Sequence, residues 1–239
     1  MKPNSFFITG TDTEVGKTLI ASALILKLQE SGLKTVGYKP VAAGMYQNNR
    51  NWINDDVENL LKVSQRVAPE LQTKDICPYI LKQPAAPHLV AKHEGIHLDM
   101  QVMIDRYHAL QNKFDFIVVE GAGGFLVPIG EHQNLGDFAQ AIHLPVILVV
   151  NIKLGCINHA LLTAESIVSR GLKLFAWVAN STQPENEYTL SNIETLQTQL
   201  FKKFNAHFMG HIPFNPAISS PEGYALDHLI SSAKLLLLK

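Results

Sequence analysis

The sequence predicts an α/β protein in three layers: a mostly parallel sheet with helices on both faces. Three observations lead there. Short apolar runs alternate with longer amphipathic or buried segments of helical length, the pattern of strand–helix–strand units. The runs are apolar almost throughout, as in Phe116–Glu120 and Val146–Val150. Such strands are expected to be covered on both faces, which favours parallel pairing. Gly32 and Gly171 stand just past two helical segments, where helices commonly stop. In such sheets a ligand lies beyond the C-terminal strand ends.

Each element follows from its local pattern. Ser5–Thr9, with Phe6, Phe7 and Ile8, is the first strand. Lys17–Ser31 is the first helix, apolar from Leu19 to Leu28. Thr35–Lys39 is the second strand. Asp55–Val67 is a helix opened by Asn54, whose amide can cap it, with Asp55 and Asp56 in an acidic first turn. Helix Met100–Gln111 leads to strand Phe116–Glu120, and helix Leu135–Ile142 to strand Val146–Val150. Helix Ile157–Ser169 leads to strand Lys173–Ala179, and helix Tyr188–Phe204 to strand Ala206–Ile212. A last helix is expected over Leu226–Leu237. No repeat, low-complexity segment or linker interrupts the series, so residues 1–239 are expected to form one domain.

Composition narrows the function. The chain is 46% hydrophobic and 17% charged, a globular and not a disordered balance. A formal net charge of −1 leaves no electrostatic footprint for nucleic acid or an anionic membrane. Cys77 and Cys156 are expected to be buried free thiols of a reducing compartment. Cys156 has no activating partner that can be named, so packing is expected over nucleophilic work. No secretory leader is recognisable, and apolar runs such as Pro145–Val150 are too short to cross a bilayer. A cytoplasmic location without membrane or nucleic-acid partners is expected.

The segment Ile8–Thr18 carries the chemistry. An apolar strand, a loop with Gly10 and Gly16, then Lys17-Thr18 and a long apolar segment give the strand–loop–helix order of a phosphate-binding loop. Gly16 lets the backbone approach a phosphate, and loop N–H groups with the helix N-terminus face the anion. Lys17 is placed for the β/γ-phosphates and Thr18 for Mg2+. Gly10 and Gly16 enclose five residues, where the generic loop has four. Either Gly10 turns the chain one residue early or the loop is a variant. A second signal is Phe116–Gly124, an apolar strand ending in Glu120 before Gly121-Ala122-Gly123-Gly124. An acid there suits Mg2+, which prefers oxygen ligands; the alternative is a solvated strand-end acid.

Gly10-Thr11-Asp12-Thr13-Glu14-Val15-Gly16-Lys17-Thr18 resembles the loop of the dethiobiotin synthetases, ATP-dependent ligases of biotin synthesis. Further segments resemble that family in order, from about Phe6 to Phe214: Gly37–Gly44, Pro84–His88, Glu120–Gly124, Val149–Ala160, Trp177–Ser181 and His211–Phe214. The resemblance implies a P-loop NTPase-like fold that binds ATP through Thr13, Glu14, Val15, Gly16, Lys17, Thr18 and Leu19. Asp56, Glu120, Gly121, Ala122 and Gly123 are implied at the phosphates. Asn180, Ser181, Ile212, Pro213 and Phe214 are implied at the adenine. Thr18, Asp56 and Glu120 are the implied Mg2+ ligands, with Asp56 preferred to Asp55. Lys39 and Lys17 are the implied catalytic cations. Ala43 and Asn158 are implied at the diamine. Asn158, in the Gly155–His159 segment, is implied to serve the substrate of the other subunit of a homodimer.

Some residues keep a plainer alternative. Asn180 can be turn chemistry, Asn158 a helix cap, and His88 structural. Ala43 and Ala86 stand where the family often has a hydroxyl residue. The implied reaction joins 7,8-diaminononanoate, CO2 and ATP. Two rivals are a partition-type ATPase switch and a different amidoligase with a similar loop. The first often carries an extra lysine early in the loop, where this chain has Asp12-Thr13-Glu14. The second usually carries an added glutaminase domain, for which 239 residues leave no room.

Overall fold

The computed structural model describes residues 4–48, 51–217 and 221–229. In chain order its elements are β1 (Ser5–Gly10), α1 (Lys17–Glu30), β2 (Thr35–Tyr38), β3 (Val41–Ala43), β4 (Tyr46–Asn48), β5 (Asn51–Ile53), α2 (Asp55–Ser64), α3 (Thr73–Ile76) and β6 (Tyr79–Leu81). There follow α4 (Pro87–Glu94), α5 (Met100–Gln111), β7 (Phe116–Glu120), α6 (Leu135–Ile142), β8 (Val146–Asn151) and α7 (Cys156–Ser169). The described chain closes with β9 (Leu174–Asn180), α8 (Thr189–Phe204), β10 (His207–Ile212) and α9 (Pro221–His228).

The main sheet runs β10-β9-β8-β1-β7-β2, and its pairings are parallel. The expected α/β architecture is therefore present. Its middle strands are buried at every residue, β1 and β7 throughout, because helices cover both faces of so apolar a sheet. The chain leaves β1 for the edge strand β2, returns to fill the gap with β7, then passes to β8 on the far side of β1. This reversal opens a crevice at the C-terminal ends of β1 and β7. Register places Ile8 beside Glu120 and Gly10 beside Val149. The phosphate loop thus starts next to the acid that ends β7.

Helix α1 is buried along almost its whole length, from Ile20 to Leu28, because α2 and α9 pack against it as well as the sheet. Its buried Lys27 donates to the Leu226 and Leu229 carbonyls of the α9 terminus at 2.6 and 2.9 Å. A cation there meets the orphan carbonyls and the negative end of the helix dipole. Of the expected last helix, residues 226–228 fall in α9, and 230–237 lie outside the described residues.

Helix α2 stops at Ser64, three residues before the expected end. The Ser64 hydroxyl donates back to the Leu60 carbonyl at 2.6 Å and accepts the Gly37 N–H at 2.9 Å. That ties the helix end to β2. The pair β3–β6 and the antiparallel hairpin β4–β5 were not expected from the sequence. Runs of three residues are too short to carry a period. Cys77 and Cys156 are both free and buried.

Candidate functional site

The loop between β1 and α1 is the variant with five residues between Gly10 and Gly16. Gly10 is the last residue of β1, and a Cβ there would collide with the Val15 side chain. Gly16 caps α1 with φ 91°, a left-handed conformation that favours glycine. Glu14 is also left-handed, at φ 57°, an uncommon state for a residue with a side chain. Asp12 accepts the Thr13 N–H on its carboxylate at 2.8 Å, and Thr13 and Glu14 are exposed. Val15 turns inward and is buried. Lys17 folds back onto its own loop, donating to the Asp12 carbonyl at 3.2 Å. Leu19 lies behind the loop, packed on the core.

Four side chains from four elements converge at the start of α1. The Thr18 hydroxyl lies 2.6 Å from Asp56 Oδ1 and 2.8 Å from Glu120 Oε1. Lys39 Nζ lies 2.7 Å from Glu120 Oε1, 3.0 Å from Asp56 Oδ2 and 3.3 Å from the Gly121 carbonyl. Local structure aims each group. Thr18 sits in the first turn of α1. Asp56 sits in the first turn of α2, which Asn54 caps by accepting the Val57 N–H. Glu120 ends β7, and Lys39 follows β2 with its N–H held by the Ile76 carbonyl at 2.8 Å. Asp55 points elsewhere, accepting the Tyr46 hydroxyl at 2.5 Å.

Charge and burial set the electrostatics. Lys39 and Glu120 are almost fully buried, whereas the Asp56 side chain is 44% exposed. Burial works against the Lys39 ammonium, but the carboxylates of Glu120 and Asp56 outweigh it and hold its pKa above the ordinary lysine value. Burial pushes the Glu120 carboxyl up, against the pull of Lys39. The 2.7 Å contact and the Thr18 hydroxyl favour the ionised pair. Asp56 is held below the usual carboxylate range: burial is overcome by Lys39 and by the Thr18 hydroxyl. Burial lowers the Lys17 ammonium against the pull of Glu120, and the nearby Lys39 charge adds to the lowering. One acceptor is left over, because Glu120 Oε2 is buried without a hydrogen-bond partner among the described residues.

Thr18, Asp56 and Glu120 form an oxygen-only donor set. Among the described residues no group of three or more His, Cys, Asp or Glu side chains could hold a metal. A cation here would rest on few protein oxygens, with water and phosphate completing its shell. That is the usual habit of Mg2+, and the orphaned Glu120 Oε2 fits it.

The other expected residues gather along the same sheet edge. A side chain at Gly123 would come within 3.4 Å of the Thr13 hydroxyl, so the Gly121–Gly123 turn, with half-buried Ala122, borders the phosphate loop. Asn180 ends β9, with Ser181 just after it, and Ile212 ends β10; the Ser181 N–H donates to the Ile212 carbonyl at 2.9 Å. The Asn180 amide donates to the Val15 carbonyl at 2.9 Å. Ser181 Oγ meets His211 Nε2 at 2.9 Å, and Glu185 accepts the Phe214 N–H at 3.3 Å. Pro213 lies between Ile212 and Phe214. Nothing in the sequence pattern marks Glu185; only the fold brings it to His211, 3.5 Å away.

Some expected residues stay outside the cluster. Ala43 ends β3, its carbonyl accepting the Asn54 amide at 3.3 Å. Asn158 is exposed in the first turn of α7. The loop before it reaches the phosphate loop through Lys153, 3.8 Å from Asp12. His88, in the first turn of α4, has a buried Nδ1 without a partner among the described residues. A separate cavity of about 860 Å3 between α8, β10 and the end of α9 shares no residue with the cluster.

Solved structures share the fold. A ParA family ATPase from Chlorobium tepidum TLS is 14% identical, with a TM-score of 0.53 over 94% of this chain and 89% of that one. MinD in the MinC:MinD cell division protein complex of Aquifex aeolicus is 16% identical, with a TM-score of 0.52 over 93% of this chain and 86% of that one. The cell division protein MinD of Aquifex aeolicus, also 16% identical, gives 0.51 over 93% and 87%. Likeness at these identities establishes the fold alone. No described helix is long and apolar enough to cross a membrane. A family model, AAA_26, described as an AAA domain, matches residues 4–222. With the phosphate loop, its lysine and its paired carboxylates in place, the chain belongs to this P-loop ATPase family, which includes the dethiobiotin synthetases.

Proposed function

We propose that the protein is a Mg2+- and ATP-dependent cyclo-ligase that makes dethiobiotin from 7,8-diaminononanoate and CO2. The observation that carries this reading is the convergence of Thr18, Lys39, Asp56 and Glu120 beside the phosphate loop. A site for hydrolysis alone needs no buried lysine from β2 in addition to Lys17. A site that must hold an anionic acceptor against the γ-phosphate does.

One amine of the substrate attacks CO2, forming an N–C bond and losing a proton, to give a carbamate. A carbamate oxygen attacks the γ-phosphorus and ADP departs, giving a mixed anhydride. The second amine attacks the carbonyl carbon and loses a proton, the C–O bond to phosphate breaks, and phosphate leaves as the ureido ring closes. Lys39 is the fixed cation at the carbamate and γ-phosphate, where charge shifts during transfer. Lys17 answers the β/γ-phosphates. Thr18, Asp56 and Glu120 would hold Mg2+, which would supply neutralisation of phosphate charge. Asn180, Ser181 and the Ile212–Phe214 segment receive the base.

The deciding experiment is phosphate release from ATP with diaminononanoate and bicarbonate, each omitted in turn. Full release is expected only with all three, with dethiobiotin as product. A partition-type switch predicts hydrolysis that ignores the diamine, and that outcome would sink the ligase reading.

Two further expectations arise here. Glu120→Gln keeps the shape and removes the charge, so the Mg2+ concentration for half-maximal release should rise by about tenfold or more. An unchanged Mg2+ titration would remove Glu120 from the metal site. The active unit is proposed to be a homodimer sharing its diamine site, with Asn158, exposed in the first turn of α7, serving the other subunit's substrate. Mixing inactive Lys17→Ala and Asn158→Ala proteins, with subunit exchange, should restore activity. No recovery after proven exchange would mean self-contained sites.

A further inference from the structure

We infer that Asn180 is a positioning residue of the phosphate loop, so that the strand end proposed to meet the nucleotide base also sets the loop that takes the phosphates. This deepens the nucleotide-site reading and rests on it. Asn180 is 4% exposed. Its Nδ2 donates to the Val15 carbonyl at 2.9 Å, joining positions 165 residues apart. The next residue, Gly16, stands so close that a Cβ built on it would collide with Nδ2. Glycine at 16 therefore serves two ends: it allows φ 91°, and it admits the amide of Asn180.

The bond has a directional consequence. A peptide unit is planar and trans. Holding the Val15 carbonyl fixes the plane of the Val15–Gly16 peptide, and with it the direction of the Gly16 N–H. That N–H is one of the donors a phosphate loop offers an anion. Asn180 is itself held on both sides. The Ile152 N–H donates to its carbonyl at 2.9 Å, and the following Ser181 N–H donates to the Ile212 carbonyl at 2.9 Å. An amide Nδ2 carries two hydrogens. One is used on Val15; the second, and Oδ1, remain for a base edge.

Inorganic tripolyphosphate with Mg2+ separates the two roles, because it presents phosphates and no base. Asn180→Asp keeps the shape and Oδ1 but loses the donor; Asn180→Ala loses both. Loop positioning predicts that each variant binds tripolyphosphate about 3- to 10-fold more weakly, the worth of one hydrogen bond, and binds ATP more weakly still. Unchanged tripolyphosphate affinity beside weakened ATP binding would make Asn180 a base reader only and overturn the inference. Wild-type protein that binds neither ligand would overturn the nucleotide site itself, a distinguishable failure. Circular dichroism checks that the variants fold. Should neither fold, NMR on the ligand-free wild type decides: slow solvent exchange of one Asn180 side-chain amide proton supports the bond, and fast exchange of both refutes it.

Discussion

Lys17→Ala should lower ATP turnover by roughly 10²- to 10³-fold, as when a preorganised donor to developing charge is removed, while leaving the fold intact. Both halves follow from the geometry. Among the described residues the Lys17 ammonium hydrogen-bonds to the Asp12 carbonyl alone, at 3.2 Å, a group that water can serve instead. Its ammonium is desolvated, and burial, helped by the Lys39 charge, outweighs the pull of Glu120, Asp56 and Asp12 and lowers its pKa. Removing it takes away an unfavourable buried cation as well as the proposed phosphate ligand. The melting temperature should therefore hold or rise. Phosphate release and a thermal melt on the same preparation check both. A folded variant with wild-type release would end the phosphate-loop assignment.

Lys39→Ala should be costly in two separable ways. Turnover should fall by roughly 10²- to 10³-fold with little change in ATP affinity, because the proposed contact to the carbamate and γ-phosphate strengthens in the transition state. An unchanged kcat with weaker ATP binding would contradict that role. Stability should fall as well, by about 3–5 kcal/mol, the usual cost of leaving half a buried ion pair behind. Glu120 is fully buried and would lose its cation. Its carboxyl already titrates above the ordinary value because of burial, and without Lys39 it moves further up. A raised native pKa protects stability at low pH and loses it as pH rises through that value. The variant, freed of Mg2+ by chelator, should therefore be most destabilised at neutral and higher pH and nearest to wild type in acid. Lys39→Ala/Glu120→Gln should recover much of the lost stability, having no buried charge to strand, and none of the turnover. Chemical denaturation at two pH values reads this directly. Equal destabilisation at both would mean that Glu120 does not carry the cost.

The candidate site was legible to unequal depths. The phosphate loop stood out because strand, glycine, lysine and helix must adjoin in sequence to cradle an anion. Glu120 was visible as an acid closing an apolar run before glycines. Lys39 and Asp56 were weaker signals, since a lysine before Pro40 and an acid in a first helical turn each have an ordinary explanation. The structure joins them through one ammonium, 2.7 Å from Glu120 and 3.0 Å from Asp56. It also separates Asp56 from Asp55, which the sequence presents side by side. One residue of helix rotation sends the first to Thr18 and the second to Tyr46.

The sequence by itself determined the α/β class, the parallel character of the sheet and the place of the phosphate loop. Those depend on local order: apolar runs without alternation, helical spacing between them, and a loop whose parts are contiguous. Tertiary structure alone decided the strand order, the neighbourhood of Lys39 and the grip of Asn180 on Val15. Contacts across 81 and 165 residues leave no periodic trace in a chain. They arise only when β7 slides between β1 and β2 and when β9 lines up with β8, and burial then makes each polar group find its partner.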